Sequence, residues 1–254
     1  MPDSTPDIEV EVAAAWLLAR FPDGLEERRL DAATELAVFT DAVGEAAVRD
    51  AFSDVRSEPV APGWEDRWKE FHRPVRAGGL WIGPPWMSPP ADEPSVVVDP
   101  GRAFGTGAHA TTRACIELLA GVDRGSLLDA GCGSGVVSVA AARFGFAPVI
   151  AVDLDEVAVE VAAATARANG VEIDVRRADV LRDELRRTDA LVANIELRVV
   201  EQFLGRAPSA VAVTSGYLAD EVPHAAGWVG VDRLELEGWA ADVFVKRHQE
   251  PQTQ

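Results

Sequence analysis

Short apolar runs alternate with longer segments of helical periodicity from residue 95 to residue 246. Apolar runs bounded by turn residues are typical of buried strands, and the longer segments are typical of helices. This alternation predicts parallel β-α-β units in a doubly wound α/β sheet. The predicted strands are 95–98, 127–129, 149–153, 172–176, 190–194, 210–215, 233–237 and 242–246, and the predicted helices are 111–120, 135–144, 155–169 and 199–204.

The N-terminal zone, residues 1–60, has a different pattern. It contains an Ala-rich helical stretch at 12–20, a candidate strand at 35–40 and a helix-like run at 45–52. Helix and strand signals that alternate over so short a segment predict a small α+β domain. The sheet-bearing domain is expected to span 95–254.

The segment between the two predicted domains, residues 61–94, is rich in Trp, Pro and Gly. Prolines at this density oppose a continuous helix or a central strand, so the segment is predicted to be a linker with one short helix at 65–71. Two roles are open for its tryptophans. They either pin the two domains together, which is the more common role in a connector, or they bind a substrate.

Composition narrows the class of protein. Of the 254 residues, 48% are hydrophobic and 26% are charged, as in ordinary globular proteins. There is no apolar run of the roughly 20 residues that span a bilayer, and the N-terminus shows no secretory pattern. Two cysteines are too few for a disulfide scaffold. We therefore expect a reduced, cytoplasmic protein with no membrane contact.

The formal net charge is −18, with a sequence pI near 4.6. Such a surface repels phosphate backbones and attracts basic partners. Direct binding of nucleic acid is therefore not expected, and a cationic substrate is favoured. The alternative is that the excess of Asp and Glu serves only solubility.

The most informative stretch is residues 127–156, LLDAGCGSGVVSVAAARFGFAPVIAVDLDE. A predicted strand leads into a loop with Gly131, Gly133 and Gly135, and the loop leads into a helix. Glycines permit positive φ angles and let a ligand lie against bare backbone. The next strand ends at Asp153, 22 residues after Gly131, where an acid is placed to hold a pair of ribose hydroxyls. The pattern predicts a nucleoside site at the carboxyl ends of the strands.

Two cofactor classes use this geometry. Dinucleotide-binding enzymes favour G-x-G-x-x-G, whereas this chain reads G-C-G-S-G preceded by Asp129. The pattern D-x-G-x-G-x-G, followed by Asp153, resembles the signature of class I S-adenosylmethionine-dependent methyltransferases. A nicotinamide oxidoreductase remains an alternative. Asp179, after the third strand, either holds the adenine amino group or caps a helix. No metal site is predicted.

A second candidate residue, Asn194, ends the predicted strand in the segment LVANI. In methyl transfer an amine attacks with its lone pair, so its N–H groups must be held from behind by an acceptor. An amide oxygen can do this, whereas a carboxylate would favour the protonated, unreactive amine. Asn194 therefore indicates methylation of an amino nitrogen, unless it is only a turn residue. His109 is a weaker candidate for a base.

Residues 99–119, DPGRAFGTGAHATTRACIELL, precede the glycine loop. Together with DAGCGSG and VANI, they resemble ribosomal protein methyltransferases of the PrmA family, which modify a large-subunit ribosomal protein. The resemblance covers about residues 61–216. It implies a seven-stranded, mostly parallel class I methyltransferase sheet, S-adenosylmethionine as cofactor, and a small N-terminal domain that recognises the ribosomal protein. The family's acceptors are lysine side chains and an N-terminal amine.

Carried over at matching positions, the resemblance implies several cofactor contacts, with Asn194 as the catalytic residue. A flexible loop, Phe104–Gly107, is expected to close over the methionine end. The cofactor-binding residues implied are Thr112, Gly131, Gly133, Asp153, Asn194, Phe104, Gly105, Thr106, Gly107 and Asp179.

This chain departs from the family pattern at two places. Many members read N-I-L-A at the substrate motif, whereas here Asn194 and Ile195 are followed by Glu196 and Leu197. The N-terminal zone is also short. The expected protein is a monomeric methyltransferase acting on amino groups of a large-subunit ribosomal protein. The alternatives are a methyltransferase for another protein or a small-molecule amine, and a non-catalytic S-adenosylmethionine-binding module.

Overall fold

The computed structural model describes most of the chain in two compact units, residues 1–64 and 65–254. The residues described are Val10, Ala13, Trp16, Leu17, Arg20, Phe21, 26–30, 33–38, 40–58, 72–100 and 105–247. The predicted helix at 65–71 and the predicted loop residue Phe104 lie outside them. Among the described residues, no helix is long and apolar enough to cross a membrane.

The first unit combines strands and helices. Strand β1 (Glu26–Leu30) pairs antiparallel with β2 (Ala33–Ala37), and helix α1 (Ala42–Ala51) follows. Asp41 begins this helix, because its Oδ1 accepts hydrogen bonds from the amides of Val43 and Gly44 at 3.0 and 2.9 Å. The sequence did not predict β1, since four of its five residues are charged and give no apolar strand signal. The described residues between 10 and 20 are helical.

The second unit opens with a small sheet of β3 (Val75–Ala77), β4 (Leu80–Gly83) and β5 (Ser95–Val97). β4 is antiparallel to β3 and parallel to β5. Two of these strands fall in the segment predicted to be a linker. They form there because the prolines at 74 and 84 flank the two strands and do not interrupt them.

A seven-stranded sheet forms the centre of the second unit, with the strand order β11-β12-β10-β9-β6-β7-β8. All pairs are parallel except those of β12, which is antiparallel to both neighbours. The doubly wound, mostly parallel sheet is therefore confirmed. The strands are β6 (Leu127–Ala130), β7 (Val149–Asp153), β8 (Asp174–Arg177), β9 (Ala190–Asn194), β10 (Val211–Leu218), β11 (Trp228–Leu236) and β12 (Trp239–Lys246).

In the described part of the second unit, four helices precede or connect these strands and pack on the sheet. They are α2 (Ala110–Ala120), α3 (Val136–Phe144), α4 (Glu156–Ala168) and α5 (Leu197–Leu204). Neighbouring strand residues such as Leu127 and Leu128 belong to separate buried clusters, because successive side chains point to opposite faces. The first cluster includes residues of α2 and α3, and the second includes residues of α5.

The topology brings three candidate segments to one edge of the sheet. β6, β7 and β9 are adjacent and parallel, so their carboxyl ends at Ala130, Asp153 and Asn194 lie side by side. The loops that leave these ends therefore face the same space. This is the edge at which open α/β sheets bind ligands.

Candidate functional site

The glycine loop after β6 folds back onto the neighbouring strand. The amides of Gly131 and Cys132 both donate to the carbonyl of Val152, at 2.8 and 3.0 Å. Gly131, Gly133 and Gly135 have positive φ angles of 79, 52 and 77°, the conformation that glycine permits. A Cβ on Gly131 would lie 2.4 Å from Ile195 Cγ2. A side chain at this position would therefore clash with the side chain of Ile195, the residue after Asn194.

Asp153, at the end of β7, is joined to the glycine loop by hydrogen bonds. Its Oδ2 accepts from the amide of Gly133 at 2.9 Å, and its Oδ1 accepts from the amide of Asp155 at 3.0 Å. A carboxylate has about four lone-pair sites, so both oxygens retain capacity for a ligand's hydroxyl groups. The structure thus brings together the glycine loop and Asp153, which the spacing in the sequence predicted to lie at one site.

Asp129, the acid that precedes the loop, lies beneath it and not at its surface. Its side chain is buried and accepts a hydrogen bond from the Ser138 hydroxyl at 2.5 Å. Burial raises the pKa of Asp129 to about 7, and the nearby charge of Asp153 also raises it, while the Ser138 hydrogen bond lowers it. Asp129 is therefore a buried partner of α3, and its carboxyl group is closed off from the surface.

Asn194 and Thr112 meet although they lie on different elements. Asn194 Nδ2 donates to Thr112 Oγ1 at 3.3 Å. Thr112 lies in the first turn of α2 and is almost fully buried, whereas Asn194 is half-buried. With Nδ2 engaged in this way, Oδ1 is left as the acceptor that an amine requires. The sequence placed both residues at the site but did not predict their contact with each other.

Ile195, the residue after Asn194, lies against Gly216, a glycine that was not among the predicted site residues. The amide of Ile195 donates to the carbonyl of Ser215 at 3.2 Å. Gly216 has a φ of 104° at a bulge in β10, and a Cβ there would lie 2.1 Å from the Ile195 carbonyl oxygen. A glycine inside a strand is a signal for such a close approach, and it was present in the sequence.

The loop before α2 lies against the glycine loop. The carbonyl oxygen of Gly105 accepts a hydrogen bond from the Ser134 hydroxyl. Gly105 and Gly107 have φ angles of 102 and 83°, so both require the left-handed region that favours glycine. Thr106 Oγ1 accepts from the amide of Ala108 at 3.4 Å. Of the predicted residues of this loop, Gly105 contacts the glycine loop at Ser134, and the sequence did not predict this contact.

Asp179 follows β8 and serves as a cap for the next turn. Its Oδ1 accepts from the amide of Leu181 at 2.9 Å, and its carboxylate pairs with Arg182 at 3.4 Å. The preceding amide, that of Ala178, donates to the carbonyl of Asp153 at 2.9 Å. Asp179 thus follows a residue bonded to Asp153, and its carboxylate has the local capping role that the sequence left open.

The remaining two candidates have different surroundings. His109 caps α2, with its Nδ1 2.8 Å from Thr111 Oγ1 and its ring centroid 5.0 Å from that of Trp239. Glu196 begins α5 and is exposed, and its carboxylate makes no capping hydrogen bond. His109 is therefore engaged in local contacts, whereas Glu196 presents a charge two residues from Asn194.

Comparison with known proteins finds the same family by a family model and by individual relatives. The family model described as ribosomal protein L11 methyltransferase (PrmA) matches residues 30–240. The ribosomal protein L11 methyltransferase of Pelotomaculum thermopropionicum is 37% identical over 238 residues, which cover 86% of this chain and 75% of the relative. The protein of the same name from Caldicellulosiruptor bescii is 40% identical over 151 residues, which cover 57% of this chain and 49% of the relative.

A solved structure shares the fold. The crystal structure of a ribosomal protein L11 methylase from Lactobacillus delbrueckii subsp. bulgaricus matches 70% of this chain and 100% of that chain, with a TM-score of 0.63 and 22% identity. At this identity the likeness concerns the fold alone. The sheet with helices on both faces is the class I methyltransferase fold expected from the sequence.

Proposed function

The chain belongs to the ribosomal protein L11 methyltransferase (PrmA) family, and we propose that it transfers methyl groups from S-adenosylmethionine to amino groups of the large-subunit ribosomal protein L11. The observation that carries this proposal is the pairing of Asn194 with Thr112 at the sheet edge where the glycine loop meets Asp153.

The residues at this edge fit the cofactor. When bound, S-adenosylmethionine supplies a methyl carbon attached to a positively charged sulfur. The backbone of the loop from Gly131 to Gly135 would lie against the nucleoside, because its glycines have no side chain of their own to keep a ligand away. Asp153 would accept hydrogen bonds from the ribose hydroxyls. The Gly105–Gly107 segment would cover the methionine end, and Asp179 would face the adenine.

Asn194 orients the amine that accepts the methyl group. Its Oδ1 would accept a hydrogen bond from an amine N–H, so that the nitrogen lone pair points toward the methyl carbon. The cofactor would supply the methyl group, and its sulfur would become a neutral thioether when the amine nitrogen held by Asn194 takes that group. Thr112 holds the Asn194 amide in the orientation that exposes Oδ1. An aspartate at this position would instead stabilise the ammonium form, which has no lone pair.

The amine must lose a proton before it attacks. A lysine has a reference pKa of about 10.4, so the neutral form costs roughly 4–5 kcal/mol at pH 7. Partial burial of the amine beside a fixed positive charge lowers this cost, and a dedicated base is not required. The engagement of His109 with Thr111 and Trp239 agrees with a mechanism that does not use its ring.

The acceptors we propose are lysine side chains and the N-terminal amine of L11, both of which are cationic. A net charge of −18 favours encounter with such a substrate, and the exposed Glu196 adds a negative charge two residues from Asn194. We assign recognition of L11 to the first unit, residues 1–64, and place the reaction in the cytoplasm.

The direct test is incubation of the purified protein with purified L11 and S-adenosylmethionine labelled in its methyl group. Label should appear on amino groups of L11, located by mass spectrometry of the digest, and an Asn194→Ala variant should bind the cofactor but label L11 far more slowly. If the wild type binds the cofactor and leaves L11 unlabelled while it labels another amine, the L11 assignment is wrong. If it binds no S-adenosylmethionine, the whole proposal is wrong.

A further inference from the structure

The turn between β11 and β12 has an unusual residue. Leu236 pairs with Trp239, so the loop consists of Glu237 and Gly238 alone, with φ angles of 52 and 82°. Positive φ at both central positions is the type I′ turn, which favours Asn-Gly, Asp-Gly or Gly-Gly. A glutamate in this conformation is disfavoured sterically. Within the described part of the chain, Glu237 is the one non-glycine residue with a positive φ.

The Glu237 side chain reaches the helix that carries Thr112. Its Oε1 lies 2.7 Å from Nη2 of Arg113, whose side chain is only 20% exposed. The same guanidinium donates from Nε to the carbonyl of Ala108 at 3.1 Å. Arg113 thereby connects the β11–β12 turn to the residue that ends the Gly105–Ala108 loop, and it directly follows Thr112 in the chain.

A second contact joins the same two segments. Trp239, the first residue of β12, packs edge-on against His109, the residue that caps α2, with ring centroids 5.0 Å apart and planes at 67°. The turn therefore contacts the start of α2 through an ion pair and through an aromatic pair. Both contacts lie at the base of the loop that is expected to cover the methionine end of the cofactor.

We propose that Glu237 is a positioning residue for cofactor binding. Its carboxylate holds the Arg113 guanidinium against the Ala108 carbonyl and so fixes the Gly105–Ala108 loop and the first turn of α2. It also neutralises a cation beside a site that takes a positively charged sulfonium and a cationic amine, where an unpaired Arg113 would repel both. This inference rests on the proposed function.

Two variants of equal size separate the effect of the Glu237 charge from the effect of its backbone conformation. Asp and Asn are both favoured in the first position of a type I′ turn, so Glu237→Asp and Glu237→Asn both relieve the backbone, and only the first keeps a carboxylate. Glu235→Gln is the control, because Glu235 lies in β11 of the same hairpin and its carboxylate pairs with Arg233 at 3.2 Å. For each variant we would measure the dissociation constant of S-adenosylmethionine by calorimetry, the kcat and KM for L11, and the thermal midpoint.

We expect cofactor affinity to fall without a loss of thermal stability. Glu237→Asn should have a thermal midpoint no lower than the wild type and a threefold to fivefold weaker cofactor affinity, about the size of one partly exposed ion pair. Glu237→Asp should recover part of that loss, and Glu235→Gln should bind as the wild type does. A wild-type affinity in Glu237→Asn, an equal loss in Glu235→Gln, or a lower midpoint in Glu237→Asn would each overturn the inference. Absence of cofactor binding by the wild type would instead contradict the proposed function.

Discussion

The side-chain amide of Asn194 donates a 3.3 Å hydrogen bond to the hydroxyl of Thr112, although 82 residues separate the two positions. Thr112 is buried in the first turn of α2, and Asn194 ends the strand at the edge where the glycine loop lies. The contact gives the amide one orientation, because Nδ2 is the donor group and Oδ1 is the acceptor. We therefore expect Thr112 to act on the acceptor amine through Asn194.

Removal of this hydrogen bond should slow turnover and spare cofactor binding. Thr112→Val keeps the shape of the side chain but removes the acceptor, which leaves the Asn194 amide unfixed. We expect kcat with L11 to fall about fivefold to tenfold, the range for one hydrogen bond of about 1 kcal/mol, with an unchanged dissociation constant for S-adenosylmethionine. Steady-state kinetics and calorimetry measure the two quantities.

The control is Thr112→Ser, which keeps the hydroxyl and should keep most of the activity. A Thr112→Val variant that loses cofactor affinity as strongly as it loses turnover would show that the hydroxyl serves the cofactor directly. That outcome would match the cofactor contact implied by the family resemblance and would contradict the role assigned here from the contact with Asn194.

Asp153 should account for much of the cofactor affinity. Asp153→Ala removes the acceptor for the ribose hydroxyls and also the two hydrogen bonds to Gly133 and Asp155. We expect binding of S-adenosylmethionine to weaken by roughly 1–3 kcal/mol, as for the loss of hydrogen bonds to a charged group. Calorimetry measures the change. Asp155→Asn is the control, since Asn also caps a helix well, and its affinity should equal that of the wild type.

The buried Asp129 should make stability depend on pH. Burial raises its pKa from the usual 3.8 to about 7 in the folded protein, so the folded state binds more protons than the unfolded state between these values. The stabilising contribution of the protonated form is complete below about pH 4 and is lost as the pH rises through 7. The thermal midpoint of Asp129→Asn, relative to that of the wild type, should therefore be higher at pH 8 than at pH 5. An equal difference at both pH values would show that Asp129 does not titrate in this range.

The sheet and the glycine loop were predictable because their signals are local. The central strands β7 and β9 are short apolar runs, and their bounds, Val149–Asp153 and Ala190–Asn194, are the predicted ones. The loop glycines and Asp153 stand at a spacing that the β-α-β unit imposes. The strands of the C-terminal hairpin are longer than predicted, since β11 begins at Trp228 and β12 at Trp239.

The missed features depend on residues that are distant in sequence or that lack a strand signal. β1 consists mostly of charged residues, and β3 and β4 lie in a proline-rich segment. The bonds of Asn194 to Thr112 and of Glu237 to Arg113 join positions that only the folded topology brings together. No periodicity or spacing along the chain encodes such pairs.

The division of the chain suggests a test of substrate recruitment. Residues 65–254 form a compact unit that contains the whole candidate site. A protein that lacks residues 1–64 should bind S-adenosylmethionine as the full chain does but should no longer methylate L11 at a useful rate. Calorimetry and the label-transfer assay measure these two properties. If the shortened protein methylates L11 as fast as the full chain, the first unit does not recruit the substrate.

A crystal structure of the protein with bound S-adenosylmethionine tests the central claim most directly. The account predicts that the ribose hydroxyls lie at hydrogen-bond distance from the Asp153 carboxylate, about 3 Å, and that Asn194 Oδ1 faces the space in front of the sulfonium methyl group. An adenosyl group bound away from the glycine loop, or an Asn194 side chain turned away from the methyl group, would contradict it.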